Sequence, residues 1–173
     1  MEETTKAYIA GFLDGDGSIM FQLIERRGYI YGYQIRASIC FYQDSRHKDG
    51  LLWLRNKIGF GYLRDRNDGV SDYTIVGYDR VDQVLKLVAL YVVFKAVHVV
   101  RALELLSEIK ENRKPAPDKF LSMAKMVDSY ASLNYSKKKT NNANKVEAFL
   151  NRKGLLIPVT TDSCNKDEIV LKL

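Results

Sequence analysis

Cysteine and histidine are scarce in this chain. Two cysteines, Cys40 and Cys164, and two histidines among 173 residues make neither a disulfide framework nor a Cys/His zinc site, so no disulfide partner is expected. Long apolar runs are missing too. The longest, around Val84 to Val100, is interrupted by Lys86, Lys95 and His98, which excludes a helical membrane span and argues against a membrane partner. No secretory leader is visible, and the chain reads as intracellular. A glycine-rich nucleotide loop, an HExxH pair, paired CxxC and a GxSxG elbow are all absent, which removes most cofactor enzymes and serine hydrolases.

What is present is an apolar fraction of 46% and a formal charge of +6. The first supports one good hydrophobic core at this length. The second permits an anionic partner without requiring one. The most informative segment is Ala7-Tyr-Ile-Ala-Gly-Phe-Leu-Asp-Gly-Asp-Gly-Ser-Ile19. It reads as a helix with small residues at Ala7, Gly11 and Gly15, a spacing that lets a second helix approach closely. The helix is expected to end near the two Asp-Gly steps, placing a carboxylate at the base of a helix–helix contact.

Residues 18–27 and 31–43 alternate as two strands joined by a turn around residues 27–30. One face carries Met20, Gln22, Ile24 and Arg26, then Gln34, Arg36, Ser38, Cys40 and Tyr42; the other carries Ile19, Phe21 and Leu23, then Ile35, Ala37, Ile39 and Phe41. One face is therefore core and the other polar, basic and partly aromatic, as in an antiparallel sheet with one wet side. A short helix over 49–58 is expected to turn Leu51, Leu52, Leu54, Lys57 and Ile58 inward. A second hairpin follows, with its strands before and after the Asn67-Asp-Gly69 turn. Arg64 and Arg66 share one face of it. Helices are predicted over 79–91, 95–112, 118–131 with Asp118 as N-cap, and 145–151. The segment 134–145 is basic and free of acids, and the stretch past 153 shows no pattern and is expected to be a flexible tail.

Tyr8-Ile-Ala-Gly-Phe-Leu-Asp-Gly-Asp-Gly17 resembles the signature helix of the LAGLIDADG homing endonucleases. Gly59-x-Gly61-Tyr-x-Arg64-Asp-Arg66 with Val70-Ser-Asp-Tyr73, Lys95 after Tyr91-x-x-Phe94, and Pro117-Asp-Lys-Phe-Leu121 with Ala131-x-Leu-Asn134 extend the likeness to about residue 150. It points to the single-motif, homodimeric branch. The resemblance implies an α+β fold, an αββαββα core with an antiparallel saddle-shaped sheet on DNA and additional C-terminal helices, in one domain over 1–153. It also implies a homodimer on a long pseudo-palindromic duplex, cut in both strands across the central minor groove to leave short 3′ overhangs. The same kinship suggests a chloroplast or mitochondrion.

The implied cofactor is Mg2+, with Mn2+ an alternative and Ca2+ supporting binding without cleavage. Such hard ions take oxygen ligands and keep several waters. The resemblance assigns the metal to Asp16 and to the carbonyl of Gly15, and catalytic support to Gln43 and Lys95. Gln43 falls on the core side of its strand by parity. A basic position after the second strand falls at Arg46 or His47, and the sequence leaves both open. Asp14 is either a helix cap or a polar contact at the interface, which is otherwise assigned to Ala7, Tyr8, Ala10 and Gly11. His98, in an apolar helix, reads as a packed residue.

The wet face then becomes a recognition surface in the major groove, where all base pairs are distinguishable. The candidate readers are Gln22, Ile24, Arg26, Tyr29, Gln34, Arg36, Ser38, Cys40, Tyr42, Arg64, Arg66, Asp72 and Thr74. Phosphate contacts, which position without specifying sequence, are expected from Arg46, Lys48, Ser136, Lys137, Lys138, Lys139 and Thr140. The alternative function is a binding or intron-maturase protein of the same fold that does not cut.

Overall fold

The computed structural model describes residues 1–134 and 140–156. Ser136 and Lys137 to Lys139, as well as most of the expected tail, lie outside the described residues. The chain runs α1 (Glu3–Asp16), β1 (Gly17–Glu25), β2 (Tyr33–Asp44), a 3-10 turn at Ser45–His47, α2 (Asp49–Ile58), β3 (Tyr62–Asp65), β4 (Val70–Val76), α3 (Tyr78–Val88), α4 (Ala96–Glu111), α5 (Pro117–Ala131) and α6 (Ala143–Arg152). The four strands form one antiparallel sheet in the order β1-β2-β4-β3. This is the αββαββα core with helices added at its C-terminal end.

The alternation in β1 and β2 decides which face is covered. Ile19, Phe21, Leu23, Ile35, Ala37, Ile39, Phe41, Tyr73 and Ile75 are buried in one cluster with Ile9, Ala10 and Leu13 of α1, Leu51 and Leu54 of α2, and the inner sides of α3 to α6. The period of two in the strands thus meets the three- and four-residue spacing in the helices, and the apolar surface removed from water holds the layers together. In α2 only Leu51 and Leu54 are fully buried. Lys57 is exposed, contrary to the sequence reading, and its ammonium lies over the Trp53 ring instead. Gly59 closes α2 at φ +90, a left-handed position suited to glycine.

Two other boundaries differ from expectation. Helix α5 starts at Pro117 with Ala116 as N-cap, so Asp118 lies in the first turn rather than at the cap; proline preorganises that first position. Helix α3 ends at Val88, and residues 89–95 form a connection rather than more helix.

Strand β1 is an edge, and the C-terminal elements cover it. Asn141 donates to the Leu23 carbonyl at 2.9 Å, and the Tyr130 hydroxyl to that of Ile19 at 3.4 Å. This satisfies carbonyls that would otherwise offer a free edge. At the hairpin tip, Gly32 takes φ +68, and a β-carbon there would lie 2.5 Å from the Phe149 ring of α6. The aromatic ring of α6 therefore rests directly on the backbone of the β1–β2 connection.

Candidate functional site

The two acids of the α1 motif have different surroundings. Asp14 is bound to its own chain. Its Oδ2 accepts the N–H of Val93 at 2.6 Å and of Phe94 at 3.2 Å, and its Oδ1 accepts the N–H of Lys95 at 2.9 Å. The sequence reading kept both a capping and an interface role for Asp14; within one protomer the carboxylate caps. Asp16 is exposed at the last position of α1 and has no hydrogen-bond or ion-pair partner among the described residues. The Lys95 ammonium donates to the Asp14 carbonyl at 2.5 Å, beside the carbonyl of Gly15.

Sheet register brings the next groups to the same end. Gly17 pairs with Phe41, so Gln43 lies just beyond the residue facing the start of β1. Gln43 is half-buried, and its Oε1 accepts the N–H of Asp44, which leaves the amide nitrogen available. Asp44 receives the Arg46 guanidinium at 2.9 and 2.8 Å and the Arg46 N–H at 2.9 Å. Hydrogen bonds from the Arg46 side chain, then its backbone, hold this carboxyl well below the usual carboxylate range. Arg46 is thus paired to Asp44, whereas His47 is exposed and makes no hydrogen bond among the described residues. Lys48 is paired to Asp65 at 3.1 Å. Thr140 is exposed, and its carbonyl accepts from Lys145.

The face of the sheet turned away from the core is not uniformly wet. Gln22, Arg26, Tyr29, Arg64 and Arg66 are exposed, and Ile24, Gln34, Arg36 and Tyr42 are half-buried. Ser38, Cys40, Asp72 and Thr74 are buried, which corrects their reading as open base contacts. The register explains it: Ser38 lies between Met20 and Val76, Asp72 between Tyr42 and Arg64, and Thr74 beside Tyr62. Short side chains in the middle of a sheet are overshadowed by longer cross-strand neighbours.

These buried groups form a network. Arg64 donates through Nε and Nη2 to one oxygen of Asp72 at 3.0 and 2.8 Å, Thr74 donates to the other at 2.9 Å, and Cys40 Sγ meets Thr74 Oγ1 at 3.2 Å. Burial pushes the Cys40 thiol up and the Tyr42 phenol to about 12, so both stay protonated near neutrality. Arg26 Nε meets Gln34 at 3.3 Å, Arg66 pairs with Asp68, and the Nε of Arg36 is buried with no hydrogen-bond partner among the described residues.

The outward side of α1 carries Ala7, Tyr8, Gly11 and Gly15, all exposed, and a β-carbon at either glycine would meet nothing within 4 Å. Ala10, assigned to the interface from sequence, is instead fully buried in the protomer's own core, since it shares a helix side with Ile9 and Leu13. Next to the end of α1, Leu90, Val93, Phe94, Val97 and Val100 are exposed apolar side chains, Phe94 at 83%. The sequence reading missed this patch because the run from Val84 to Val100 looked like buried helix. His98 is packed, edge-on to Tyr130 and bonded to the Leu133 carbonyl at 3.0 Å. No cluster of three or more His, Cys, Asp or Glu that could hold a metal occurs among the described residues. Among the described residues, no helix is long and apolar enough to cross a membrane.

Comparison with known proteins gives a consistent result. The family model described as LAGLIDADG endonuclease matches residues 9–98. The DNA endonuclease I-CreI of Chlamydomonas reinhardtii is 32% identical over 143 residues, 83% of this chain and 86% of that protein. The DNA endonuclease I-CvuI of Chlorella vulgaris is 28% identical over 151 residues, 87% of this chain and 92% of that one. The crystal structure of I-CvuI with its target in 2 mM Ca superposes with a TM-score of 0.83, covering 89% of this chain and 97% of that one at 28% identity. A second I-CvuI structure, on the I-CreI target with 2 mM Mg, holds DNA that was not cleaved. An archaeal intron-encoded endonuclease, I-Vdi141I, shares the fold at 14% identity and a TM-score of 0.78.

Proposed function

The chain belongs to the LAGLIDADG endonuclease family and is a DNA endonuclease, and from that premise we propose that it works as a homodimer, with Mg2+ at Asp16 and the carbonyl of Gly15, on a long pseudo-palindromic duplex. Both strands are cut across the central minor groove, leaving short 3′ overhangs. The observation that carries the reading is the contrast inside the motif: Asp14 accepts from three N–H donors, while Asp16 is exposed and has no partner among the described residues. A carboxylate and a backbone carbonyl, with no thiolate or imidazole, form a donor set suited to a hard cation that retains waters. When bound, such an ion stabilises charge developing on the phosphoryl oxygens.

The chain's own groups supply the rest. Lys95, held at the Asp14 carbonyl, brings a positive charge to the scissile phosphate. The amide nitrogen of Gln43 orients a water, and His47, which among the described residues has no partner such as the Asp44 that pairs with Arg46, takes the basic position at the cutting centre. Arg26, Arg64 and Arg66, with Gln22 and Gln34, present donors to base edges in the major groove. Arg46, Lys48, Thr140 and the basic stretch before it approach phosphates.

One unpartnered motif carboxylate per protomer suits a twofold assembly in which each strand meets its own Asp16. The open glycines on α1 and the apolar patch from Leu90 to Val100 are the surface that would pair. Kinship with the algal enzymes makes an organelle, chloroplast or mitochondrion, the proposed compartment. The test is selection of cleaved members from a randomised duplex library in Mg2+, with EDTA as control. Protein that shifts duplex but releases no ends in Mg2+ overturns the cutting mechanism and favours the binding or maturase alternative.

A further inference from the structure

The geometry points to Asp14 as a positioning residue for Lys95: its carboxylate, in the middle of the motif, clamps the residues leading into α4 and so holds the ammonium at the Asp14 carbonyl, two residues before Asp16 in the motif. The inference rests on the reading of Lys95 under the proposed function. Helix α4 begins at Ala96 with Lys95 as N-cap, and no side chain of its own sequence caps it. Asp14 binds the N–H groups of the N-cap and of the two residues leading into it, at the end of the helix where an anion is favoured by the aligned peptide dipoles. Asp14 supplies that anion from another element.

The three N–H bonds at 2.6, 3.2 and 2.9 Å fall on consecutive residues 93, 94 and 95. Lys95 is gripped at both ends. Its N–H binds Asp14 Oδ1, and its Nζ binds the Asp14 carbonyl at 2.5 Å. The connection that Lys95 ends, 89–95, is anchored in the core at Val92, but Val93 and Phe94, the two residues before Lys95, are exposed, so burial within the protomer does not fix them. The first acid thereby sets where the cation stands relative to the second.

The experiment is single-turnover cleavage of the target duplex in Mg2+ by wild type, Asp14→Asn, Lys95→Met and the double variant. Binding is measured in Ca2+, and assembly by sedimentation. Asp14→Asn is expected to slow the cleavage step roughly 10- to 100-fold, the scale of misplacing a reacting group by about 1 Å, with binding and assembly near wild type. The double variant should be no slower than Lys95→Met, since residues acting as one unit do not add. A double variant slowed by the product of the two single effects, or an Asp14→Asn enzyme that cuts normally, overturns the inference. Normal cutting by Lys95→Met alone instead locates the failure in the reading of Lys95. Asp14→Asn keeps one accepting oxygen at the same reach, so Asp14→Ala, which removes both, should cut more slowly still. Independently of any variant, the amides of Val93, Phe94 and Lys95 in wild type should exchange with solvent as slowly as the interior of α4; fast exchange there removes the clamp.

Discussion

Asp82 on α3 and Asp16 at the end of α1 carry the same carboxylate, and the fold treats them in opposite ways. Asp82 lies at the seam of α3 and α4, where Lys86 and Lys110 each reach it at 2.9 Å, while Arg113 and Lys110 approach Asp79 alongside. Burial there opposes ionisation, but the two ammonium groups outweigh it and hold the carboxyl below its ordinary value. Every charge at this seam is answered within the chain. Asp16 has no such answer among the described residues, and the same holds for the exposed side chain of Gln22 on the sheet. A polar group left uncompensated at a surface contributes little to folding and stays free for something outside the molecule. The contrast separates groups that hold the structure from groups that act on a ligand.

Substitutions at the two regions should separate in the same way. The largest effect is expected at Asp16. Asp16→Asn keeps the side-chain size and removes the charge, so cleavage in Mg2+ should fall on the order of 10²- to 10³-fold or more, the scale of losing one charge-stabilising group at a transition state. Denaturation midpoint and duplex binding in Ca2+ should hold, and binding may be read beside a cleavage time course on one duplex. Near-normal cutting would place the metal elsewhere and dissolve the contrast.

Next comes the outward side of α1. Wild type should sediment at about twice the 19.8 kDa chain mass without DNA, and a monomer at micromolar concentration would contradict the homodimer. Gly11→Leu leaves the protomer unstrained, because its new side chain meets open space. In a twofold contact it enters twice, weakening assembly by about 3 kcal/mol, at the upper end for overpacking.

Arg64→Ala should cost roughly 1–3 kcal/mol of binding, confined to one or two base pairs. An even loss across all sequences in competition assays would make Arg64 a phosphate contact instead. The smallest effect is expected at the α3–α4 seam. Since the Asp82 carboxyl is lowered in the fold, its contribution is complete above the ordinary aspartate value of about 3.9 and fades as pH falls below it. Asp82→Asn should lower stability at pH 7 by about 1 kcal/mol or less, narrow its gap to wild type in acid, and leave cleavage unchanged. Urea unfolding at several pH values measures it.

Much of this division was legible in the sequence. The period of two in β1 and β2 named the core face residue by residue, because alternation follows directly from strand geometry. The boundaries of α2 and the second hairpin followed from glycine and turn chemistry. The connection at 89–95 was not legible, since its hold comes from Asp14, about 80 residues away in the chain, and local spacing carries no trace of such a bond. The burial of Ser38, Cys40, Asp72 and Thr74 was hidden for a related reason: parity gives the face of a side chain but not the height of its neighbours. Alternation likewise marked Arg64 for the open face, yet its anchoring on Asp72 emerges only from the β3–β4 register.

The contact between Gly32 and Phe149 has a consequence for how this protein can change over generations. The tip of the first hairpin and the last described helix are separated by more than a hundred positions in the chain, yet one occupies the space a side chain at the other would need. A new residue at Gly32 therefore needs both room from Phe149 and relief of the backbone from φ +68, so the two positions change together or not at all. Anyone transplanting that hairpin tip to redirect the protein to another target would have to move α6 with it as a matched pair.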